Sequence, residues 1–571
     1  MAAVMLALMP ARLEAAGGNS DTGTNALFHL STGSDDTADG VNALYLDVAG
    51  SFNTATGYNA LFNNRAGYNT ADGQGALYEN TTAEENTAVG FQALNQNITG
   101  GGNSALGYQA LYSGTESIDN VAVGMSALYE NNGYDNTAIG TYSMEFATGA
   151  IEDAAVGYAA LCKDSGGPNA GFGFEALEQN TTGTANTALG PYSMEYANTD
   201  SDAAVGCDTL EEDTGGENVA VGYAALEGNS TGSENTACGY EALANCTTDG
   251  QNTATGYQAM YSDTIENTYY GDSTPNQNVA DGYQALYSNT QGLNNTAAGY
   301  QALYSNQTGN FDDADGDGAL YANKTGSKNT AQGVAALAQN TGGSNNTAVG
   351  MQALLSTQGS NNTAIGYQSG INLTNGNYNI YIADFAQEPS TESGTIRIGN
   401  SSTADQTRAY IAGISNTTVS GAAVYITNGG QLGVKSSSRR FKQNIQNMGE
   451  ASDVLLSLKP VTFEYKPEVE PGGIQEFGLV AEDVEKLCPA LVIHDKDGKP
   501  YTVRYEEVNA MLLNEFLKQH ERVSKLETTV AEQQREITEL MAGLKEQAAL
   551  LQKVNAEMVV NRGAPVVAQG D

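Results

Sequence analysis

Small apolar and polar residues alternate through the first two thirds of this chain on a period too long for a helix and too interrupted for one strand. The core of the unit reads N-T-A-x-G-Y-Q-A-L-Y, with clean copies at residues 53–61, 252–260, 295–303 and 346–354. Its Leu/Met slot falls at 27, 44, 61, 77, 94 and 111 and continues in steps of 16 or 17 to 260. After a longer step through Tyr269-Tyr270-Gly271 it resumes at 286, 303, 320, 337 and 354. A fixed short period of this kind marks a solenoid, each repeat one coil that stacks on the next. Alternation in T-A-x-G and in Y-Q-A-L predicts two short strands per coil, with Ala and Leu inward and Thr and Gln outward. The N-x-T-G segments read as turns, because Asn and Gly tolerate left-handed backbone. Gly, Asn and Thr recur too often for a helical repeat. Small inward residues imply a thin core, which predicts several chains packed together.

The period ends near Gly366-Tyr367-Gln368, giving an array over 20–370. Short β-like pieces follow at 379–382, 395–399, 409–414 and 423–427, and Asn428-Gly429-Gly430 makes a turn before 431–434. These predict an intertwined β neck over 372–435. Further on, 450–458 fits a helix stopped before Pro460, with strands at 461–465 and 477–480 and a helix that Pro489 ends. Segments 491–494 and 501–505 flank Asp497-Gly498 as a hairpin. Heptads then begin, with Phe516, Val523, Val530, Ile537, Leu544, Leu551 and Met558 at a. Leu512, Gln519, Leu526, Gln533, Leu540, Gln547 and Val554 occupy d. Polar layers at every second d weaken a coiled coil but fix its register and strand number. The seam predicts a parallel trimer over 511–558, followed by a tail over 559–571.

Charge changes the picture at the same boundary. Residues 1–434 hold 7 basic and 44 acidic side chains, a net of −37, whereas 435–571 hold 17 and 22, a net of −5. The acidic array should repel nucleic acid and anionic membranes. Low hydrophobicity with a net charge of −42 would suggest disorder, but 31 tyrosines and a strict repeat argue for order. Five cysteines (Cys162, Cys207, Cys238, Cys246, Cys488) form no C-x-x-C pair, so neither a disulfide framework nor a zinc site is expected, and Cys238 with Cys246 is the one local pairing open. His29, His494 and His520 are too scattered for a catalytic or metal cluster. No metal or cofactor is expected. Asp312-Asp-Ala-Asp-Gly-Asp-Gly318 resembles a calcium loop, but its twelfth position is Asn323 and it lies in frame with the repeat, so drift is the better account. Residues 1–16, an apolar run before Ala15-Ala16-Gly17, read as a signal peptide without its basic start. No stretch reaches the ~18 apolar residues of a membrane span.

The junction carries the candidate chemistry. Ser436-Ser437-Ser438-Arg439-Arg440-Phe441-Lys442-Gln443-Asn444-Ile445 places a serine five residues before a lysine. This resembles the start of the endosialidase-type intramolecular chaperone, the self-cleaving C-terminal module of phage tail spikes and fibres, whose motif is Ser-Asp-x-Arg-x-Lys with an aliphatic residue three on. Ser437, Arg440, Lys442 and Ile445 match, and Ser438 stands where Asp is usual. The following Phe477-Gly-Leu-Val-Ala-Glu-Asp-Val484 and Cys488-Pro-Ala-Leu-Val492 also fit. The resemblance implies a chaperone domain over 437–510. It also implies that Ser437 attacks the carbonyl of Ser436, with Lys442 as base and Arg440 holding the site. Serine needs a base, and lysine can serve when burial lowers its pKa. The array itself looks like the head of trimeric autotransporter adhesins, a β-roll of short N-x-A-x-G repeats.

The sequence thus predicts a mainly β protein, with a parallel β-roll or solenoid, a β neck, a small α+β chaperone domain and a coiled coil, assembled as a homotrimer. The expected role is a secreted or surface fibre of adhesin type, with a virion fibre as the alternative location. Its outward rows of Thr, Asn, Gln and Tyr suit a glycan or protein ligand, or serve only as spacer ladders. A glycan-cleaving tail spike would need paired carboxylates in a globular insertion, and none breaks the repeat.

Overall fold

The computed structural model describes residues 17–263, 276–384, 389–399, 423–427, 431–470, 472–495 and 497–561. The leader expected at 1–16, Tyr269-Tyr270-Gly271, the strand expected at 409–414, the turn at 428–430 and the tail from 562 lie outside these residues. The chain forms two compact units, Met1–Ala409 and Tyr410–Asp571.

The first unit is a parallel β-solenoid. Among the described residues, 23 three-residue strands run from Ser20–Thr22 to Ile396–Ile398, each pairing in parallel with the strand one coil away. The register puts Ala on Ala from coil to coil, as in Ala331 on Ala348. Twenty-two steps at the ~4.8 Å spacing of paired strands give a rod about 105 Å long. Two strands at its end, Ile380–Ile382 and Ile396–Ile398, lie beyond the limit expected at 370. They carry few consensus letters, but Asn379 keeps the repeat's bonding, taking its N–H and Nδ2 to Asn362 Oδ1 at 3.1 and 3.0 Å.

Each coil has one strand, not the two expected. In the Y-Q-A-L stretch the Gln and Leu adopt left-handed backbone, as at Gln301 and Leu303 with φ near 51°. The chain therefore turns where the alternation suggested extension. A non-glycine residue in this region costs roughly 1–2 kcal/mol, and fully burying a leucine gains about 1.5–3 kcal/mol. Leu303 is fully buried, so burial offsets the strain. The turn also keeps the inter-coil bonding that a strand would have made. Leu303 N–H donates to Ala319 O at 2.9 Å and Gln301 N–H to Tyr283 O at 2.9 Å.

Asparagine is the second correction. The Asn slots are buried rungs rather than left-handed turn residues. In the column before the strands, Asn346 N–H and Nδ2 both donate to Asn329 Oδ1, at 3.0 and 3.2 Å, and Nδ2 also reaches Gly359 O at 2.8 Å. A second column runs through Asn289, Asn306 and Asn323, with Nδ2 to Oδ1 distances of 3.0 and 3.2 Å. In most coils two such columns, with the strand Ala, the turn Ala and the turn Leu or Met, fill the interior, all excluded from water in a single chain. The solenoid thus completes its own core, and a thin core is no reason for it to need partners. Asp312 is a rung too, accepting from Asn329 N–H at 2.8 Å, as repeat drift predicted for the calcium-like stretch. All five cysteines are free thiols.

Outside, the tyrosines form columns. Tyr223, Tyr240, Tyr257, Tyr283 and Tyr300 stack with centroids 5.1–5.2 Å apart. A parallel column runs from Tyr261 through Tyr287 and Tyr304 to Tyr321. Gln258, Gln284 and Gln301 join amide to amide at 2.9 Å.

The glycine after each strand is fixed by coil spacing. Gly157 has φ 146°, and a Cβ there would lie 2.0 Å from Gly173 O. Gly157→Ala should therefore destabilise the array by more than about 2 kcal/mol, seen as a lower denaturation midpoint and faster hydrogen exchange in the coils flanking residue 157.

Several rungs are aspartates, and burial raises their pKa values. Asp312 rises to about 7 and Asp47 to about 6, in both cases through desolvation first. Asp153 and Asp213 are pushed up to about 8 by burial and then by the facing carboxyls of Asp164 and Asp202. Asp153 Oδ2 and Asp202 Oδ2 have no amide donor, and a proton held between the facing carboxyls would serve them. The unfolded chain releases these protons near pH 4, the folded chain only as pH approaches 8, so over that window the unfolded state binds fewer protons. The stabilising contribution is whole below about pH 4 and is lost as pH rises toward 8. Replacing Asp153 and Asp202 together by Asn should flatten this dependence. Denaturation curves at intervals from pH 4 to 8 check it: the variant should gain most over the wild type at the alkaline end.

Candidate functional site

The second unit is built on a small core. Val484, Leu491, Val492, Val503 and Met511 are buried, with Val454, Leu455, Leu458 and Leu479 packed against them. The helix expected at 450–458 is a 3-10 helix, Gly449–Ser457. Strands Val461–Phe463 and Glu476–Gly478 pair antiparallel, Ala481–Leu487 forms the helix that ends before Pro489, and Val492–His494 pairs with Pro500–Val503 as the expected hairpin. Tyr425–Ile426 and Leu432–Gly433 form a short antiparallel pair ahead of the junction. The terminal helix spans Tyr505–Asn561, starting before the first heptad leucine because Glu506 and Glu507 suit its first turn.

At the junction, Ser436, Ser437 and Ser438 are exposed and Arg439–Phe441 makes one 3-10 turn. The Arg440 guanidinium lies 4.7 Å from the Phe441 ring centroid, so in this chain it stacks on its neighbour. Lys442 is exposed, with its N–H on Arg439 O at 3.1 Å. No hydrogen bond joins Ser437 to Lys442 among the described residues. The serine and the lysine thus share one exposed segment, without the burial that would make the lysine a base.

One feature pins this segment. Lys435, directly before the serine run, places Nζ 3.1 Å from Glu506 Oε1 and 3.3 Å from Glu507 Oε1, at the start of the long helix. These carboxylates raise the Lys435 pKa, Glu506 most. All three groups face water, so the pair positions the chain more than it stabilises it. Sequence reasoning passed over Lys435, whose partners lie some 70 residues away.

It also passed over Ser452. This buried hydroxyl bonds Glu515, accepts from Asn514 Nδ2 at 2.6 Å and lies 3.2 Å from Lys518 Nζ. Asn514 Nδ2 also holds Gly449 O at 2.9 Å. The pairing of serine with lysine invites a catalytic reading, but Asp453 and then Glu515 raise the Lys518 pKa, which keeps it an ammonium and unable to take a proton. The cluster is an anchor that ties 449–457 to the long helix.

The heptad side chains are unpartnered in the single chain. Phe516, Leu526, Leu540, Leu544 and Leu551 are each more than 60 % exposed, as are Phe441, Phe477 and Tyr501 on the chaperone-like part. No helix among the described residues is long and apolar enough to cross a membrane.

Residues 437–493 match the family model described as chaperone of endosialidase. The match begins at Ser437, the residue that the junction motif singled out, and it supports a C-terminal chaperone domain. No curated protein and no solved structure matches the chain.

Ser452→Ala should loosen the anchor by about 1–2 kcal/mol, since it leaves buried partners short of a hydroxyl. Hydrogen exchange of the amides in 449–457 should quicken roughly tenfold, with exchange in the solenoid unchanged.

Proposed function

We propose that this chain is one third of a fibre, folded with the help of its C-terminal module and then cut between Ser436 and Ser437. The observation that carries the reading is the mismatch between the two units. The solenoid buries its core alone, while the C-terminal module leaves a full heptad seam and several aromatic side chains in water. A 57-residue helix with such a seam is a partner surface. The glutamines at alternate d positions favour three strands in one register. Three chains aligned at this end would also align their solenoids, whose near-identical coils offer many wrong registers.

Assembly would complete the cutting site. Packing of neighbouring chains over the exposed junction would desolvate Lys442 and favour its neutral form. Neutral Lys442 takes the Ser437 hydroxyl proton, and Oγ attacks the Ser436 carbonyl carbon. The C–N bond breaks as the proton passes to the leaving amine, leaving an ester that water hydrolyses to a Ser436 carboxylate and a free Ser437 hydroxyl. Arg440 leaves Phe441 to hold the developing charge. Cutting therefore follows trimer formation, and release of the module leaves the fibre without an easy route back to separate chains.

The fibre belongs outside the cell, on its surface or secreted, and a virion fibre is the alternative location. The tyrosine and glutamine columns are the surface for a glycan or protein ligand, and a plain spacer would use them only to hold adjacent coils together.

Intact mass of the purified protein and of Ser437→Ala, with unheated and boiled gels, tests the reading. The wild type should yield a chain ending at Ser436 and a separate 437–571 fragment, and run as a trimer unheated. Ser437→Ala and Lys442→Ala should stay whole yet still assemble. An intact wild-type trimer would refute the cutting step and leave the assembly role, and a monomeric wild type would refute both.

A further inference from the structure

The second column is not asparagine throughout, since Asp47, Ala147, Asp164, Ala197 and Asp213 also stand in it, but only one stretch brings a thiol beside carboxylates. After Asn229 it carries Cys246 and Asp263 before Asn289 restores the amide. Three residues after Cys246, where the coils at Asn229 and Asn289 have Gly232 and Gly292, stands Asp249. Cys246, Asp249 and Asp263 are all buried, and one ligand atom from each lies within 4.8 Å of the other two. Asp263 is fully excluded from water, yet its Oδ2 accepts no hydrogen bond. Asn276, also buried, turns its side chain toward Asp263, its Oδ1 accepts nothing, and Asn252 Nδ2 is unpaired. This is a concentration of unsatisfied polar atoms, where buried groups ordinarily find partners.

No lysine or arginine occurs between Lys163 and Lys324, and a solenoid coil touches only its neighbours, so no basic side chain of the solenoid reaches this level. A thiolate and two carboxylates together would carry three negative charges in a core with no counter-charge.

We propose that Cys246 Sγ and the carboxylates of Asp249 and Asp263 bind one divalent cation of zinc-like softness. The donor set suits zinc: one thiolate and two carboxylates fill three positions of a tetrahedral site, and the fourth falls to a further oxygen such as water. Zinc bonds of about 2.3 Å to sulfur and 2.0–2.2 Å to oxygen bring ligand atoms to roughly 3.5 Å from one another, so the observed cluster closes by small side-chain rotations. Burial, then the neighbouring aspartates, pushes the Cys246 thiol up, and burial with Asp249 does the same to Asp263. Both groups hold protons without the ion, and the incoming cation displaces them to solvent. The expectation of no zinc site rested on sequence spacing. These ligands meet through stacking, from adjacent coils.

The test uses the full-length chain stripped of metal, with zinc and cobalt as probes. Native mass should show one zinc per chain, cobalt should give a thiolate charge-transfer band, and affinity should fall as pH falls. The variant C246N/D249G/D263N restores the residues of neighbouring coils. It should keep the solenoid's circular dichroism and lose the metal. Where that variant fails to fold, D263N alone, which adds an amide to an amide column, should weaken zinc at least tenfold. A wild type without stoichiometric metal, a cobalt form without the thiolate band, or a variant that retains full affinity would each overturn the site.

Discussion

A buried amide that donates and accepts along one axis is the constraint on which this molecule rests. A rung such as Asn346 bonds the coil behind through its own N–H and Nδ2 and offers Oδ1 to the coil ahead, so one side chain serves two interfaces. In a low-dielectric interior such bonds are strong when complete and costly when broken. That is why three-residue strands suffice. The backbone ladder continues through the turns, and the side-chain columns run beside it.

The sequence made the array legible because a solenoid repeats its physics. Period, inward Ala and Leu, and parallel stacking could all be read from N-T-A-x-G-Y-Q-A-L. The internal form of a coil could not. Gln301 and Leu303 alternate as a strand would, and only the left-handed backbone at both shows that the segment turns. Asparagine is common in turns, and its use as a rung depends on a partner 16 or 17 residues away, which a local reading does not weigh. The strands around Tyr381 and Arg397 were read as a neck because their letters drift while their bonding does not.

At the junction the reverse holds. The motif at Ser437 to Ile445 and the family match from Ser437 agree on where the module starts, and the C-terminal elements lie near their expected places. The geometry of the candidate site was not in the letters. Lys442 is solvated, Arg440 stacks on Phe441, and the groups that fix the neighbourhood, Lys435 and Ser452, act through partners far along the helix. Long-range pairing of this kind is invisible to spacing, and in a single chain the segment has neither the burial nor the contacts that the proposed cleavage asks for.

The 26-residue step from Thr253 to Val279 has a meaning beyond the repeat count. Asn278 N–H still meets Asn252 Oδ1 at 3.0 Å and Gln284 Nε2 still meets Gln258 Oε1 at 2.9 Å, as across an ordinary coil. Register is therefore kept by matching rungs rather than by counting residues. A rod governed this way can accept foreign sequence between rungs and grow or shorten by whole coils, a modular grammar that lets decoration and length change independently.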